Sequence, residues 1–229
     1  MNNRRWMYDI DNRKRDSKGN LLEGMHKDGA NSIRYYKKGK LHRTDGPAVT
    51  TSTGKRQEWY INGKHHREDG PALIYANGSQ EWYQKGKLHR EDGPAVIQTS
   101  GHREWWIKGK KHREDGPAVY KEGDDEYWEY YVNGKRHRDN DLPAVKKKNQ
   151  YSWFYNGKKH RDDDKPAVEW ADGTKEWYLN GLKHREDGPA VIYADGDKEW
   201  WIDFKELTEE EFKSWQRSQK LERFLNEKV

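Results

Sequence analysis

Seven His-Arg pairs, at His42, His66, His89, His112, His137, His160 and His184, are each followed within three residues of the histidine by a carboxylate. An imidazole beside a carboxylate is the raw material of acid–base catalysis and of metal ligation. The spacing argues against both. Equivalent residues in successive β-hairpins lie two strands apart, roughly 9.5–10 Å, whereas zinc holds its ligands at about 2.0–2.3 Å. Each histidine and acid is therefore expected to form a structural hydrogen bond within its loop. A serine triad is weakened by the same spacing, and no glycine-rich loop carries the Lys-Ser/Thr of a phosphate site. Cysteine is absent, so no thiolate or disulfide is available. Asp124-Asp125-Glu126 and Asp162-Asp163-Asp164 have the chemistry for loose calcium binding, and read as solvated loops. The expectation is no catalytic residue, no metal and no cofactor.

The elements that position these pairs follow from a tandem period. The phrase HREDGPAV is complete at 89–96, 112–119 and 184–191, and recurs with small changes in four further copies. All seven prolines belong to it: Pro47, Pro71, Pro94, Pro117, Pro143, Pro166 and Pro189, at intervals of 24, 23, 23, 26, 23 and 23. A fixed period of this length means one supersecondary unit stacked on copies of itself. Within a copy, two β-prone runs such as Glu58–Ile61 and Pro71–Tyr75 are each closed by a turn signal. Asn-Gly recurs at 62–63, 77–78, 133–134, 156–157 and 180–181, and Asp-Gly at 172–173 and 195–196; these pairs accept the positive φ of tight turns. No segment is long enough for a crossover helix, so the strands run antiparallel. The fold class is an all-β repeat: an elongated, single-layer antiparallel meander of about seven 23-residue hairpins with a C-terminal capping helix.

In the loop, Asp is expected to accept backbone amides, Gly to supply an unusual φ, and Pro to remove a donor at the return to the sheet. Where Leu142 and Lys165 replace the glycine, the His-to-Pro distance grows from five to six, as if an extra residue eased the turn. Strand alternation places Trp59, Trp82, Trp105, Tyr130, Trp153, Trp177 and Trp200 on one face. It places Tyr60, Tyr83, Trp106, Tyr131, Phe154, Tyr178 and Trp201 on the other. One ladder is expected to pack as a continuous spine, the other to be half covered by Lys and Arg stems.

Only 31% of the 229 residues are hydrophobic and 37% are charged, yet the chain has 12 Trp and 14 Tyr. Wide aromatic side chains suit a thin molecule, and their strict period excludes a disordered one. The net charge of +5 is uneven: residues 1–41 carry 11 basic against 5 acidic residues, 42–202 carry 28 against 28, and 203–229 carry 6 against 7. A surface that tracks phosphates concentrates positive charge, so the array is not expected to bind nucleic acid, which is left to the N-terminal arm. Residues 1–33 form a basic arm or a degenerate capping repeat, Met25–Ala30 echoing the loop phrase. Residues 34–202 form the array. In 203–229, Thr208 and Glu211 make a capping box for a helix to about Asn226, a lid on the last hairpin or a docking helix. No apolar run spans a membrane and the N-terminus has no h-region; a soluble, intracellular protein is expected.

The strand ending Tyr60-Ile61-Asn62-Gly63-Lys64-His65-His66, followed by Gly-Pro-Ala and a second glycine turn, resembles the MORN (membrane occupation and recognition nexus) repeat. The HREDGPAV variety resembles repeat proteins of large-genome bacteriophages and giant DNA viruses, and over 34–202 implies an interaction sheet in a host cytoplasm. HRED-Gly-Pro departs from the usual His-Gly-x-Gly turn, and Trp59-like residues stand where the family is polar, so membrane association is not carried over.

The expected function is a non-enzymatic scaffold for a protein partner. Its candidate interaction edge is the arginine ladder Arg67, Arg90, Arg113, Arg138, Arg161 and Arg185, and its candidate aromatic face is Trp59, Trp82, Trp105, Trp153, Trp177 and Trp200. The alternatives are a module that sequesters a small ligand or nucleotide against host defence, and nucleic-acid binding through the arm. Self-association through a sheet edge or the C-terminal helix is a further expectation.

Overall fold

The computed structural model describes residues 7–8, 13–123 and 126–226, and the chain divides into two compact units, 1–112 and 113–229. Asp124 and Asp125, two of the three residues of one acidic cluster, lie outside the described residues, as does most of the segment before Arg13.

Both units are antiparallel meanders. In the first, Gly24–Lys27, Ile33–Lys37, Val49–Thr50, Gln57–Glu58, Leu73–Ile74, Gln80–Glu81, Val96–Ile97 and His102–Glu104 pair in chain order. In the second the order is Val119–Lys121, Tyr127–Glu129, Val145–Lys147, Gln150–Ser152, Val168–Trp170, Lys175–Glu176, Val191–Ile192, Lys198–Ile202 and Lys205–Leu207. The last pairing carries the array five residues past Ile202.

In six repeats the first strand is interrupted at its central aromatic residue, Trp59, Trp82, Trp105, Tyr130, Trp153 or Trp177, whereas Ile33–Lys37 and Lys198–Ile202 run through without a break. Gln57–Glu58 pairs with Leu73–Ile74, whereas Tyr60–Ile61 folds back on Lys64–His65. Trp59 at the break donates its amide to Ala72 and accepts from the His66 amide. The chain thereby passes into a second ladder of short hairpins, joined by bonds such as Gly86 to His65 and Arg67 to Tyr83. Short-hairpin turns have positive φ at both central residues, 51° at Asn62 and 79° at Gly63, as a type I′ turn requires. Turns such as Tyr75–Ser79 have a positive φ at Gly78 but not at Asn77, a longer loop closed by a glycine bulge. Two Asn-Gly signals of identical sequence thus build two different turns.

The spine is not aromatic. Ala48, Ala72, Ala95, Ala118, Ala144, Ala167 and Ala190 are 0% exposed, and the Val or Leu after each is 0–7% exposed. The alanine carbonyl accepts the aromatic amide at the strand break, as Ala72 accepts from Trp59 and Ala95 from Trp82, so the residue is tied into the ladder where its methyl group is enclosed. The valine or leucine beside it contributes about 1.5–3 kcal/mol by burial. The aromatic ladders flank this spine and most of their members stay half exposed.

Residues 13–33 end the first unit. Lys14 donates its amide to Gly39, which donates to Leu22, and Leu22 is buried. A Cβ on Gly39 would lie 2.7 Å from the Lys14 carbonyl. Met25–Ala30, expected to echo the loop, is instead a strand and hairpin turn: Asp28 accepts the amides of Ala30 and Ser32, so the chain reverses before a loop can form. At the other end, α1 (Glu209–Asn226) opens with the expected capping box, the Thr208 amide donating to Glu211 and the Glu211 amide to Thr208 Oγ1. Phe212 is buried, and Gln216 donates to the Glu186 carbonyl of the last loop. No helix among the described residues is long and apolar enough to cross a membrane.

Candidate functional site

The chain reversal at each His-Arg loop brings its arginine back over the aromatic residue eight positions earlier. Arg67 lies 4.1 Å from the Trp59 ring centroid and Arg90 4.1 Å from Trp82; in the second unit Arg138 lies 4.0 Å from Tyr130, Arg161 3.8 Å from Trp153 and Arg185 3.9 Å from Trp177. In these five repeats the ladder arginine and the aromatic residue form one stacked pair. The guanidinium also donates to the loop: Arg90 Nε to Asp92 at 2.8 Å and Nη1 to the Pro94 carbonyl at 3.3 Å, with the same pattern at Arg43 and Arg67. Arg113 likewise donates to Asp115 and Pro117. Trp105 is half-buried, and Trp200 stands opposite Leu207 in the final hairpin.

The arginines face inward and the acids outward. Side-chain exposure is 22% at Arg90 but 82% at Asp92 and 80% at Glu91. Hydrogen bonds from the arginines hold the carboxyls of Asp45, Asp69, Asp92 and Asp115 below the usual range. Aspartate was expected to accept backbone amides; its partner is the guanidinium. Glycine was expected to supply an unusual φ, yet Gly70 and Gly93 have no positive φ. Their role is clearance: a Cβ would lie 3.0 Å from Arg67 Cζ and 3.1 Å from Arg90 Cζ.

The two six-residue loops solve the same problem differently. With glycine gone, Asn140 and Asp141, and Asp163 and Asp164, adopt positive φ. The displaced aspartate reaches into the next repeat. Asp141 accepts Arg161 Nε at 2.6 Å and Lys165 Nζ at 3.0 Å, and Asp164 accepts both Nε and Nη2 of Arg185 at 2.8 and 2.7 Å. The Asp141 carboxyl is held at about 2, first by the bond from Arg161. The Asp141 and Asp164 carbonyls accept the indole N–H of Trp153 and Trp177, which are the buried tryptophans among the described residues.

The loop histidine is chiefly a bond between repeats. Nδ1 of His66, His89, His137 and His160 accepts the amide of Lys85, Lys108, Asn156 and Asn180, each the first central residue of the next short hairpin. A bond to a loop acid, as expected, forms at His137 and His160, to Asp139 and Asp162. Among the described residues no group of three or more His, Asp or Glu is placed to hold a metal ion.

Grooves separate successive loops. Arg43, Asp45, Trp59, Ile61 and Asp69 border one of about 710 Å³, and Arg67, Asp69, Trp82, Gln84 and Asp92 border one of about 610 Å³. In the second unit the groove beside Trp153 is about 240 Å³, and Asp141 and Asp163 form part of its lining.

The opposite face carries a feature that strand alternation alone did not signal. Glu58, Glu81, Glu104, Glu129, Glu176 and Glu199 recur in one strand position, each accepting from the aromatic residue two positions on: Tyr60, Tyr83, Trp106, Tyr131, Tyr178 and Trp201. A basic side chain across the short hairpin often joins, as His65 joins Glu58, Lys111 joins Glu104 and Arg136 joins Glu129. Burial alone would raise the Glu58 carboxyl, but bonds from His65, Tyr60 and Arg56 outweigh it and hold the group at about 2. Burial and the Glu129 carboxylate push the Tyr131 hydroxyl up to about 12. The signal in the sequence was covariation between repeats: Ser152 takes the glutamate position where Phe154, which has no hydroxyl to donate, takes the tyrosine position. No protein-family model matches the sequence, and no curated protein is similar to it.

Proposed function

We propose that this chain is a non-enzymatic, MORN-like repeat scaffold that holds an extended, basic segment of a protein partner along the loop edge of residues 42–112. The resemblance of its repeat phrase makes it an accessory or host-interaction protein of viral type. The observation that carries the function is the row of grooves between loops, with an aromatic floor and outward carboxylates on the rims. Asp69 and Glu68 are each 84% exposed, so they meet a ligand before the arginines do. The arginines are framework. Such rims repel phosphate and anionic rings, which disfavours nucleic acid or a nucleotide at this edge.

Adjacent loops stand about 10 Å apart, and a segment in the polyproline II conformation rises about 3.1 Å per residue with three residues per turn, so lysines at every third position share one face and meet successive grooves. The test is fluorescence anisotropy with two synthetic peptides of equal composition, one with lysine at every third position and one with its lysines clustered. The spaced peptide is expected to bind at least tenfold more tightly, about 1.4 kcal/mol. Combining Glu68→Gln with Glu91→Gln is expected to remove that preference without lowering Tm, because the Arg–Asp bonds remain. Equal affinity for the two peptides, or none for either, rejects the proposal.

A further inference from the structure

The carboxylate ladder of the second unit has one gap. Ser152 stands opposite Val145 and Val168, the register that Glu129 and Glu176 occupy in the flanking repeats. The cation belonging to that repeat is retained: Lys159 stands opposite Phe154, as Arg136 stands opposite Tyr131 and Lys183 opposite Tyr178. The flanking cations each combine an aromatic ring with a carboxylate. Arg136 lies over the Tyr131 ring and pairs with Glu129 at 3.0 Å, and Lys183 lies over Trp201 and pairs with Glu199 at 3.2 Å. Lys159 has the ring, with Nζ 4.4 Å from the Tyr178 centroid. No carboxylate of the described residues lies within ion-pair distance of it. Glu176 accepts Trp170 Nε1 on one oxygen and the Tyr178 hydroxyl on the other.

A half-buried ammonium without a counterion is costly, and here the surroundings add to the cost. Burial first, then Lys183, Arg136 and Lys147, push the Lys159 ammonium below its ordinary range, with only Glu176 opposing. Ser152 itself is 3% exposed, and its hydroxyl is a donor of the kind a carboxylate accepts.

We propose that Lys159 and Ser152 form a binding site for a small carboxylate, which supplies from solution the charge that a glutamate side chain supplies in the flanking repeats. The ligand is acetate-sized, because a glutamate differs from serine at this position by little more than a carboxymethyl group. The site lies in the second unit and the proposed peptide edge in the first, so it stands or falls independently of that edge.

The test compares sodium acetate with sodium chloride at equal ionic strength, following Tm of the full chain. A ligand of the folded state alone, at about tenfold its dissociation constant, raises Tm of a chain this long by roughly 3–6 °C. Acetate is expected to produce such a rise in the wild type. Ser152→Glu is expected to raise Tm in chloride and to abolish the acetate response; Lys159→Met is expected to abolish the response. Should either variant fail to fold, the amide resonances of Phe154 and Lys159 in the wild type are followed during acetate titration, and saturable shifts are expected. Identical Tm in the two salts together with unmoved resonances overturns the site, as does an undiminished acetate response in Ser152→Glu. A Tm rise shared by wild type and both variants identifies a general salt effect and also overturns it.

Discussion

A guanidinium stacked on an indole needs clear space on its other side, and in the five-residue loops the space is a glycine. Gly93 illustrates the constraint: its backbone is ordinary, and a Cβ there would come within 3.1 Å of Arg90 Cζ, so the guanidinium would have to give way. Gly93→Ala is therefore expected to push Arg90 off Trp82 and cost about 1–2 kcal/mol in urea unfolding. In an Arg90→Gln background the same change is expected to cost a few tenths, since nothing remains to collide with; a coupling near zero in this double-mutant cycle rejects the clearance role. Arg90→Gln itself is expected to cost about 1–3 kcal/mol, because Asp92, the Pro94 carbonyl and the Trp82 face all lose their partner. An arginine ladder built only for contact with a partner would tolerate that change with Tm nearly unmoved.

At the scale of the loop, two designs serve one stack. The five-residue loop holds its arginine with its own aspartate behind a glycine; the six-residue loop spends two left-handed residues to send an aspartate and a carbonyl into the next repeat. Removing Asp164 while changing Lys165→Gly recreates the shorter design. Arg185 then turns to Asp187, as Arg90 turns to Asp92, and the main loss is the acceptor of the Trp177 indole, about 1 kcal/mol. Removing Asp164 alone leaves a lysine Cβ against the guanidinium and is expected to cost a further 1–3 kcal/mol, roughly. Equal unfolding midpoints for the two variants contradict this account. The sequence showed that glycine and loop length trade against each other, because both are local. It did not show why, because Trp59 and Arg67 meet only after the strand breaks and the chain reverses.

Across the whole molecule, what was legible followed the same division. The period, the Asn-Gly turns, the antiparallel order and the capping box at Thr208 are written in neighbouring residues. The alanine spine was hidden because tryptophan dominates any hydrophobic count, whereas burial depends on which residue the backbone approaches at the strand break. The glutamate ladder was hidden because its partners stand two and seven residues away and become neighbours only in hairpin register. That ladder occurs in both units, so it makes acid sensitivity a property of the entire chain. Glu58 is held at about 2 in the folded protein against an ordinary 4.5, and Glu104 and Glu199 are also lowered by their hydrogen-bond donors against the opposing effect of burial. A carboxyl depressed on folding contributes stability that is complete above its unfolded value and is lost as pH falls through its folded one. Stability is therefore expected to decline between about pH 4.5 and 2, with at most about 3 kcal/mol from Glu58. Glu58→Gln is expected to flatten that part of the profile while lowering stability at neutral pH, because the amide presents one acceptor where His65, Arg56 and Tyr60 now share two. Urea unfolding across this pH range checks both statements: a wild-type midpoint unchanged down to about pH 2.5, or a slope untouched by Glu58→Gln, would mean that these carboxylates do not couple folding to pH.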